Sequence, residues 1–360
     1  MKSSLDRINR RFLSMLALLL YCGTASAIFV RDDLAPIGTP GVGLDDYNAL
    51  AALYPTVGYL WNGATNGEWC TATLVKGNAS FVRVITAAHC VFDFDTDAAK
   101  ATASANAKEI SAAEAANLTF SMGSVLGNLL GPGLAITQGW YQGNYVGGVS
   151  KWDVAILEVG TSLASLGDKV SHVSLANPAD WLGKQADFVG WGRQGAGAAN
   201  PNLSVVANGL NPDNLKYTDG SGSYFASDRL AAQNIIDLNP SNSASDMIVT
   251  DFDRVLGGGA NPLGNQFGLN FEGTTAPGDS GGPIFPNAID GLVGVLSGGF
   301  SDVRGCRTDS LYDDCSAWAS LYVNRDFVDQ YLAHVPVPGS LWLLLPGLAG
   351  LFARRRGRAS

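Results

Sequence analysis

The chain predicts an all-β protein. Three observations carry that expectation: 44 glycines among 360 residues, abundant Asn and Ser, and many short apolar runs cut off by turn residues. The length admits two modest domains and a sizeable core. No internal repeat interrupts this pattern.

Taken in order, the first segment is not part of the fold. Lys2, Arg7, Arg10 and Arg11 precede an apolar run from Phe12 to Tyr21, and Ala25-Ser26-Ala27 fits the small-residue cleavage rule. Residues 1–27 therefore read as a secretory signal peptide, which makes signal peptidase a partner. Cys22 is not a lipid attachment site, because Tyr21 stands where Gly or Ala is required. From Ile28 to Leu60 the chain holds Pro36, Pro40, Gly41 and Gly43, then a short helix from Asp45 to Leu53, and reads as an N-terminal arm. Val84-Ile85-Thr86 is a β-branched run expected to form a buried strand that delivers His89 to its end. Residues 97–117, rich in Ala and Ser, fit either a surface helix or a flexible insertion. Asp153 immediately precedes the strand-like Val154-Ala155-Ile156-Leu157. Residues 200–227 read as a long loop. Phe327, Val328, Tyr331 and Leu332 give 324–332 the apolar stripe of a helix.

The chemistry begins at Gly278-Asp279-Ser280-Gly281-Gly282-Pro283. Glycines on both sides present the Ser280 hydroxyl on tightly turned backbone and admit a substrate carbonyl to main-chain N–H groups. A serine needs a base and a group to orient that base. Only His89, His172 and His334 exist, and His89 lies at a strand end. Asp153 supplies an acid, so the order is His, Asp, Ser. Gly278, Ser280 and Gly282 also satisfy the G-x-S-x-G pattern of α/β-hydrolases. That fold requires a helix directly after its serine and a later histidine. Gly281, Gly282 and Pro283 oppose the helix, and His334 is the sole downstream histidine, so this alternative is rejected.

Thr86-Ala87-Ala88-His89-Cys90, Trp152-Asp153-Val154-Ala155-Ile156-Leu157 and the Gly278–Pro283 hexapeptide, in that order, resemble the chymotrypsin-like serine proteases. Gly139-Trp140, Val189-Gly190-Trp191-Gly192 and Val295-Leu296-Ser297-Gly298-Gly299 extend the resemblance over most of the exported part. It implies two antiparallel β-barrels packed side by side in a domain spanning 28–334. The first barrel would cover about 55–165 and the second about 180–323, followed by the C-terminal helix. The active site would lie in the cleft, with His89, Asp153 and Ser280 as triad and the N–H groups of Gly278 and Ser280 as oxyanion hole.

Removing the signal leaves Cys70, Cys90, Cys306 and Cys315 in a compartment where disulfides persist. Proximity pairs 70 with 90 and 306 with 315. The first pair resembles the family bridge that staples the histidine loop, worth about 3 kcal/mol in the chain-entropy model. Ala276 stands where the family bridge beside the nucleophile would need its cysteine.

The resemblance also implies an activation pair. Signal cleavage would free the Ile28 ammonium, and Asp279 is the family position that pairs with such a terminus. The specificity pocket would involve Thr274, Ser297 and Gly299. Thr274, six residues before Ser280, replaces the aspartate with which trypsins select Arg or Lys, so uncharged side chains are the expected preference. Glu272 is the one substitute acid nearby.

Residues 335–360 run from Val335-Pro336-Val337-Pro338-Gly339 through an apolar stretch to Arg354, Arg355, Arg356 and Arg358. As a helix, 339–353 would reach only about 22 Å against a hydrocarbon core of about 30 Å. The arrangement resembles the PEP-CTERM sorting tails of Gram-negative exported proteins, with Val337 where that motif carries Glu. It implies an exosortase-type partner; a plain C-terminal membrane anchor is the alternative. The expected location is periplasmic, cell-surface or extracellular, with the protein monomeric.

Leaving out the four basic residues at each end, and Asp6, 15 Lys plus Arg face 31 Asp plus Glu. This acidity excludes nucleic acid as an expected partner. Asp93, Asp95 and Asp97 alternate as in calcium loops but lack the loop glycine and closing glutamate, so no metal or other cofactor is expected. The function expected is endopeptidase action on protein or peptide substrates. The rival class is a protease-like binding or matrix protein without turnover.

Overall fold

The computed structural model describes residues 28–31, 45–63, 69–77, 82–91, 102–123, 133–161, 170–192, 194–197, 229–237, 246–253, 263, 268–301, 306 and 313–332. The signal peptide, the tail 335–360, His334, Asp93, Asp95, Asp97 and the loop 200–227 lie outside the described residues. No helix among the described residues is long and apolar enough to cross a membrane.

Strand β1 (Ile28–Arg31) and helix α1 (Asp45–Ala52) precede the first barrel. That barrel uses β2 (Val57–Asn62), β3 (Trp69–Lys76), β4 (Val82–Thr86), the short β5 (Lys108–Glu109), β6 (Leu118–Ser121), β7 (Leu134–Tyr141) and β8 (Ala155–Val159). The ladder runs β5-β7-β6-β2-β3-β4-β8, and β7 also pairs with β8. Six strands therefore close on themselves, which removes the exposed edges a sheet would otherwise present. Leu60, Leu74, Val84, Phe120, Ile136 and Leu157 point into this barrel's core. Helix α2 (Ala112–Asn117), between β5 and β6, starts on a capping box of Ser111 and Glu114. The Ala-rich stretch 97–117 thus contains both a helix and, in its preceding described part, irregular chain with a two-residue strand.

The second body comprises β9 (Gln185–Gly190), β10 (Gln194–Gly197), β11 (Leu230–Ile235), β12 (Ile248–Asp251), β13 (Gly273–Thr274), β14 (Pro283–Pro286), β15 (Gly294–Gly299) and β16 (Cys315–Ser320). Six of these form a curled half-barrel in the order β11-β9-β14-β15-β16-β12, while β1 lies between β10 and β13 in a separate three-stranded sheet. Asn234 on β11 donates through its side-chain amide to the carbonyls of Asp251 on β12 and Gly273 on β13, bridging the seam where the β11 and β12 backbones do not pair. The architecture is all-β, two packed barrel bodies with a short terminal helix.

A shared apolar layer joins them. Val57, Ile85 and Ile156 from the first body pack with Val189, Phe285 and Val295 from the second. Polar ties cross the same interface. The buried Arg229 guanidinium donates to the carbonyls of Val57 and Gly123, both at 2.8 Å, and burial lowers its pKa to about 10. The Tyr54 hydroxyl donates to Asp187 at 2.6 Å. Helix α3 (Arg325–Leu332) closes the chain, with Phe327 and Val328 buried and Tyr331 stacked on Trp140 at 4.9 Å between centroids. Disulfides join Cys70 to Cys90 and Cys306 to Cys315.

Candidate functional site

Strand β4 is buried at all five positions and ends at Thr86, after which a single 3-10 turn over Ala88–Cys90 carries His89. The disulfide from Cys90 to Cys70 ties that turn back to β3. Asp153 precedes β8, which pairs with β4, so the two strands deliver the imidazole and the carboxylate to the same end of the barrel. Asp153 Oδ1 accepts the His89 backbone N–H at 3.0 Å, and its Oδ2 lies 2.7 Å from His89 Nδ1. The Asp153 side chain is 0 % exposed, that of His89 27 %. A buried carboxylate holding Nδ1–H fixes the tautomer and leaves Nε2 as the basic nitrogen.

Ser297 completes that carboxylate. Its hydroxyl donates to Asp153 Oδ2 at 2.7 Å and accepts the Ser150 N–H at 3.0 Å. Residue 297 sits where the β15–β16 register shifts between Leu296 and Gly298, and the irregularity reorients that position relative to the ladder. The structure joins the hydroxyl of Ser297, named for the specificity pocket, to Asp153. Burial, followed by the charge of Asp153, also raises the pKa of neighbouring Tyr145.

Ser280 lies on a turn that leans on the first barrel. Its carbonyl accepts the Thr71 N–H at 2.8 Å, while the Thr71 hydroxyl donates to the Gly278 carbonyl at 3.0 Å and accepts the Trp191 N–H at 2.9 Å. The Thr71 carbonyl in turn accepts the Thr86 hydroxyl at 2.9 Å. On its other side the turn is held by Gly281 N–H donating to Leu296, the residue before Ser297. Backbone bonds thus fix the Ser280 turn between β3, which the disulfide ties to the His89 turn, and β15, which carries Ser297. Thr71 was not singled out from the sequence; nothing local marks a threonine beside Cys70 as a brace for a turn more than 200 residues away.

The N–H groups of the turn divide into two kinds. Asp279, Gly281 and Gly282 donate their N–H groups to Ala276, Leu296 and Asp279 carbonyls respectively. Among the described residues no acceptor takes the N–H of Gly278 or Ser280. Gly278 has φ +98°, a left-handed value that disfavours any side chain. If Ser280 acts as an acylated nucleophile, Gly278→Ala should swing its N–H away and lower the rate of acylation by about 10²- to 10³-fold, the usual effect of losing one oxyanion donor, with little change in substrate affinity. Stopped-flow acylation by an activated ester would measure it.

Asp279 points away from Ser280 into the second body and is 1 % exposed. Its two oxygens accept the N–H groups of Gly192 (2.6 Å) and Ala276 (2.8 Å). Burial nevertheless raises its pKa to about 7, the two hydrogen bonds opposing the rise. A Cβ at Gly190 would lie 1.9 Å from Asp279 Oδ1, so glycine there admits the carboxylate. Ile28 is fully buried in the adjoining sheet, paired in parallel register with Gln194.

Behind the turn, Phe29 pairs with Thr274 and Gly299 with Ser316. The Thr274 and Thr275 hydroxyls lie 3.0 and 2.7 Å from Ser316 Oγ. Thr275 and Ser316 were not named from the sequence, since their meeting depends on strand pairing. Three hydroxyls thus meet at this place. Glu272 is not among them: it is 1 % exposed and its Oε2 accepts the Leu269 N–H at 2.7 Å. Cys70, His89 and Cys90 also lie close enough together to suggest a metal site, but the two sulfurs are bonded to each other and offer no thiolate. His172 lies on the surface beside Asp290.

Neither a protein-family model nor a curated protein matches this chain.

Proposed function

We propose that this protein is an exported serine endopeptidase of the chymotrypsin-like kind. The observation that carries the reading is the Asp153 carboxylate, fully buried and accepting from His89 backbone, His89 Nδ1–H and Ser297, with the Ser280 turn hydrogen-bonded to Thr71 and to Leu296, the residue before Ser297. These donors satisfy a carboxylate that burial would otherwise penalise, and they hold beside it an imidazole that remains partly exposed. In the proposed reaction Ser280 Oγ attacks a peptide carbonyl while His89 Nε2 accepts its proton. The tetrahedral oxyanion is held by Gly278 and Ser280 N–H groups. His89 returns the proton to the leaving amine, and water repeats the sequence to release the acyl group.

The freed Ile28 ammonium pairs with Asp279 in this reading, so signal cleavage itself completes the enzyme. Two disulfides suit an oxidising compartment outside the cytoplasm, and the tail serves sorting or anchoring. The hydroxyl-lined floor at Thr274, Thr275 and Ser316 favours uncharged substrate side chains.

A fluorophosphonate probe should label the processed wild type and not Ser280→Ala. The same preparation should hydrolyse leucyl or phenylalanyl esters faster than arginyl ones. Absence of label on correctly processed wild type would favour a binding protein without turnover, and a strong arginyl preference would overturn the pocket assignment.

A further inference from the structure

Asp153 belongs to the first body by sequence, yet the turn that carries it is held by the second. It lies in the loop joining β7 to β8, and its N–H donates to the Ser150 carbonyl at 3.1 Å, so Lys151 and Trp152 form the turn that ends on it. The base of the loop closes within the first body, where the Gln142 N–H donates to the Val154 carbonyl at 2.9 Å. Around the turn the partners change. The Ser150 N–H donates to Ser297, Lys151 Nζ pairs with Asp246 ahead of β12, and the Lys151 carbonyl accepts from the Asn324 side-chain amide at 2.7 Å. Val149 lies against Gly298, where a Cβ would meet its Cγ2 at 3.0 Å.

Asn324 is the most committed of these partners. It lies between β16 and α3 and is 1 % exposed. Its amide nitrogen donates to the Lys151 carbonyl and to the Ser320 carbonyl at 2.8 Å, and its Oδ1 accepts from Gln142 Nε2 at 3.3 Å. One side chain thus joins the base of the β7–β8 loop, the turn before Asp153 and the end of β16. Two carbonyls facing one nitrogen require an amide: aspartate would set oxygen against oxygen, and alanine would leave both acceptors bare. Helix α3 does not need the Lys151 bond. Its first turn is served by the Asn324 backbone, whose carbonyl accepts the Val328 N–H at 3.0 Å. The Lys151–Asp246 pair is partly exposed on both sides and adds little stability, so its effect is on the direction of the turn.

We propose that Asn324 is a positioning residue for Asp153, acting through the Lys151 carbonyl, with the Lys151–Asp246 pair as its weaker companion. The inference rests on the hydrolase reading for its effect on rate, and on the bonds alone for its effect on geometry. Released from Asn324, the Lys151 peptide is free to turn, and Asp153, two residues on, shifts relative to His89. Misplacing such a group by about 1 Å costs about 10²-fold in rate. The acid is then aligned with the imidazole only while the two bodies stay docked.

The test is Asn324→Ser in the processed chain. Serine keeps a hydroxyl able to bond the Ser320 carbonyl four residues back, but it ends one covalent bond short of Lys151. Tm should stay within about 3 °C of wild type, while fluorophosphonate labelling should slow by about ten- to a hundredfold. The far-downfield proton resonance of His89 Nδ1–H, which reports its bond to Asp153, should move upfield or broaden. A folded variant whose resonance is unmoved, whatever its labelling rate, would overturn the role. A displaced resonance beside a wild type that takes no label would keep the role and count against the hydrolase reading instead. If Asn324→Ser fails to fold, Asp246→Asn replaces it, since asparagine tolerates the φ of +55° at that position. Labelling should then slow about two- to threefold at low ionic strength, and the difference should vanish in high salt. No difference at low ionic strength would overturn the proposal.

Discussion

Asp153→Asn should slow fluorophosphonate labelling about 10⁴-fold while leaving the folded protein intact. The expectation follows from three bonds that converge on two oxygens. Oδ1 takes the His89 backbone N–H, and Oδ2 is shared by His89 Nδ1 and Ser297. An asparagine keeps one oxygen only. If that oxygen stays with the backbone N–H, the amide NH₂ faces Nδ1, which must then act as acceptor. The imidazole proton moves to Nε2, and the nitrogen needed to accept from Ser280 is blocked. If the amide turns the other way, its NH₂ opposes the His89 backbone N–H and the imidazole loses its seat. Ser297→Ala removes one of the three donors without changing the tautomer, so a hydrogen bond's usual worth suggests a loss of roughly tenfold. Rates within tenfold of wild type for Asp153→Asn would sink the orienting role. A Tm unchanged beside a 10⁴-fold loss would separate that role from mere stability.

The residues whose roles are written in local pattern were those most legible in the sequence. A β-branched run ending in Ala87-Ala88-His89 needs no tertiary knowledge to be placed at a strand end, and the structure ends β4 at Thr86. The apolar stripe at 327, 328, 331 and 332 likewise gives a helix, observed from Arg325. Thr71, Thr275 and Ser316 were illegible because each acts through a partner fixed by strand register across tens or hundreds of residues. Ser297 was named for the specificity pocket, and its bond to Asp153, made at a shift in ladder register, was not legible in the sequence.

Extending the mature terminus by two residues ahead of Ile28 should lower labelling of Ser280 by at least 10²- to 10³-fold, the scale of losing the oxyanion turn. Asp279 is the reason. It adjoins Ser280, is buried, and is drawn into the second body by Gly192 and Ala276 N–H groups that only partly offset burial. Ile28 is buried in the neighbouring sheet with φ +80°. That left-handed value is costly for a β-branched residue, about 1–3 kcal/mol, and it exists only while residue 27 is attached. In the proposed reading, cleavage before Ile28 abolishes the dihedral and its strain and offers an ammonium to Asp279. In the extended chain Asp279 has no such cation and its folded pKa stands near 7, above the unfolded value of 3.8. Its contribution to stability is then complete below the unfolded pKa and is lost as pH rises through about 7. Tm of the extended form should therefore fall between pH 4 and 8. In the processed form the ammonium keeps the carboxylate charged, so Tm should hold over that range, and activity should decline only at higher pH as the ammonium loses its proton. Melting curves and labelling rates for both forms measure this directly. Equal labelling of the extended and processed chains would separate Asp279 from Ile28 and leave signal cleavage without a part in switching on Ser280.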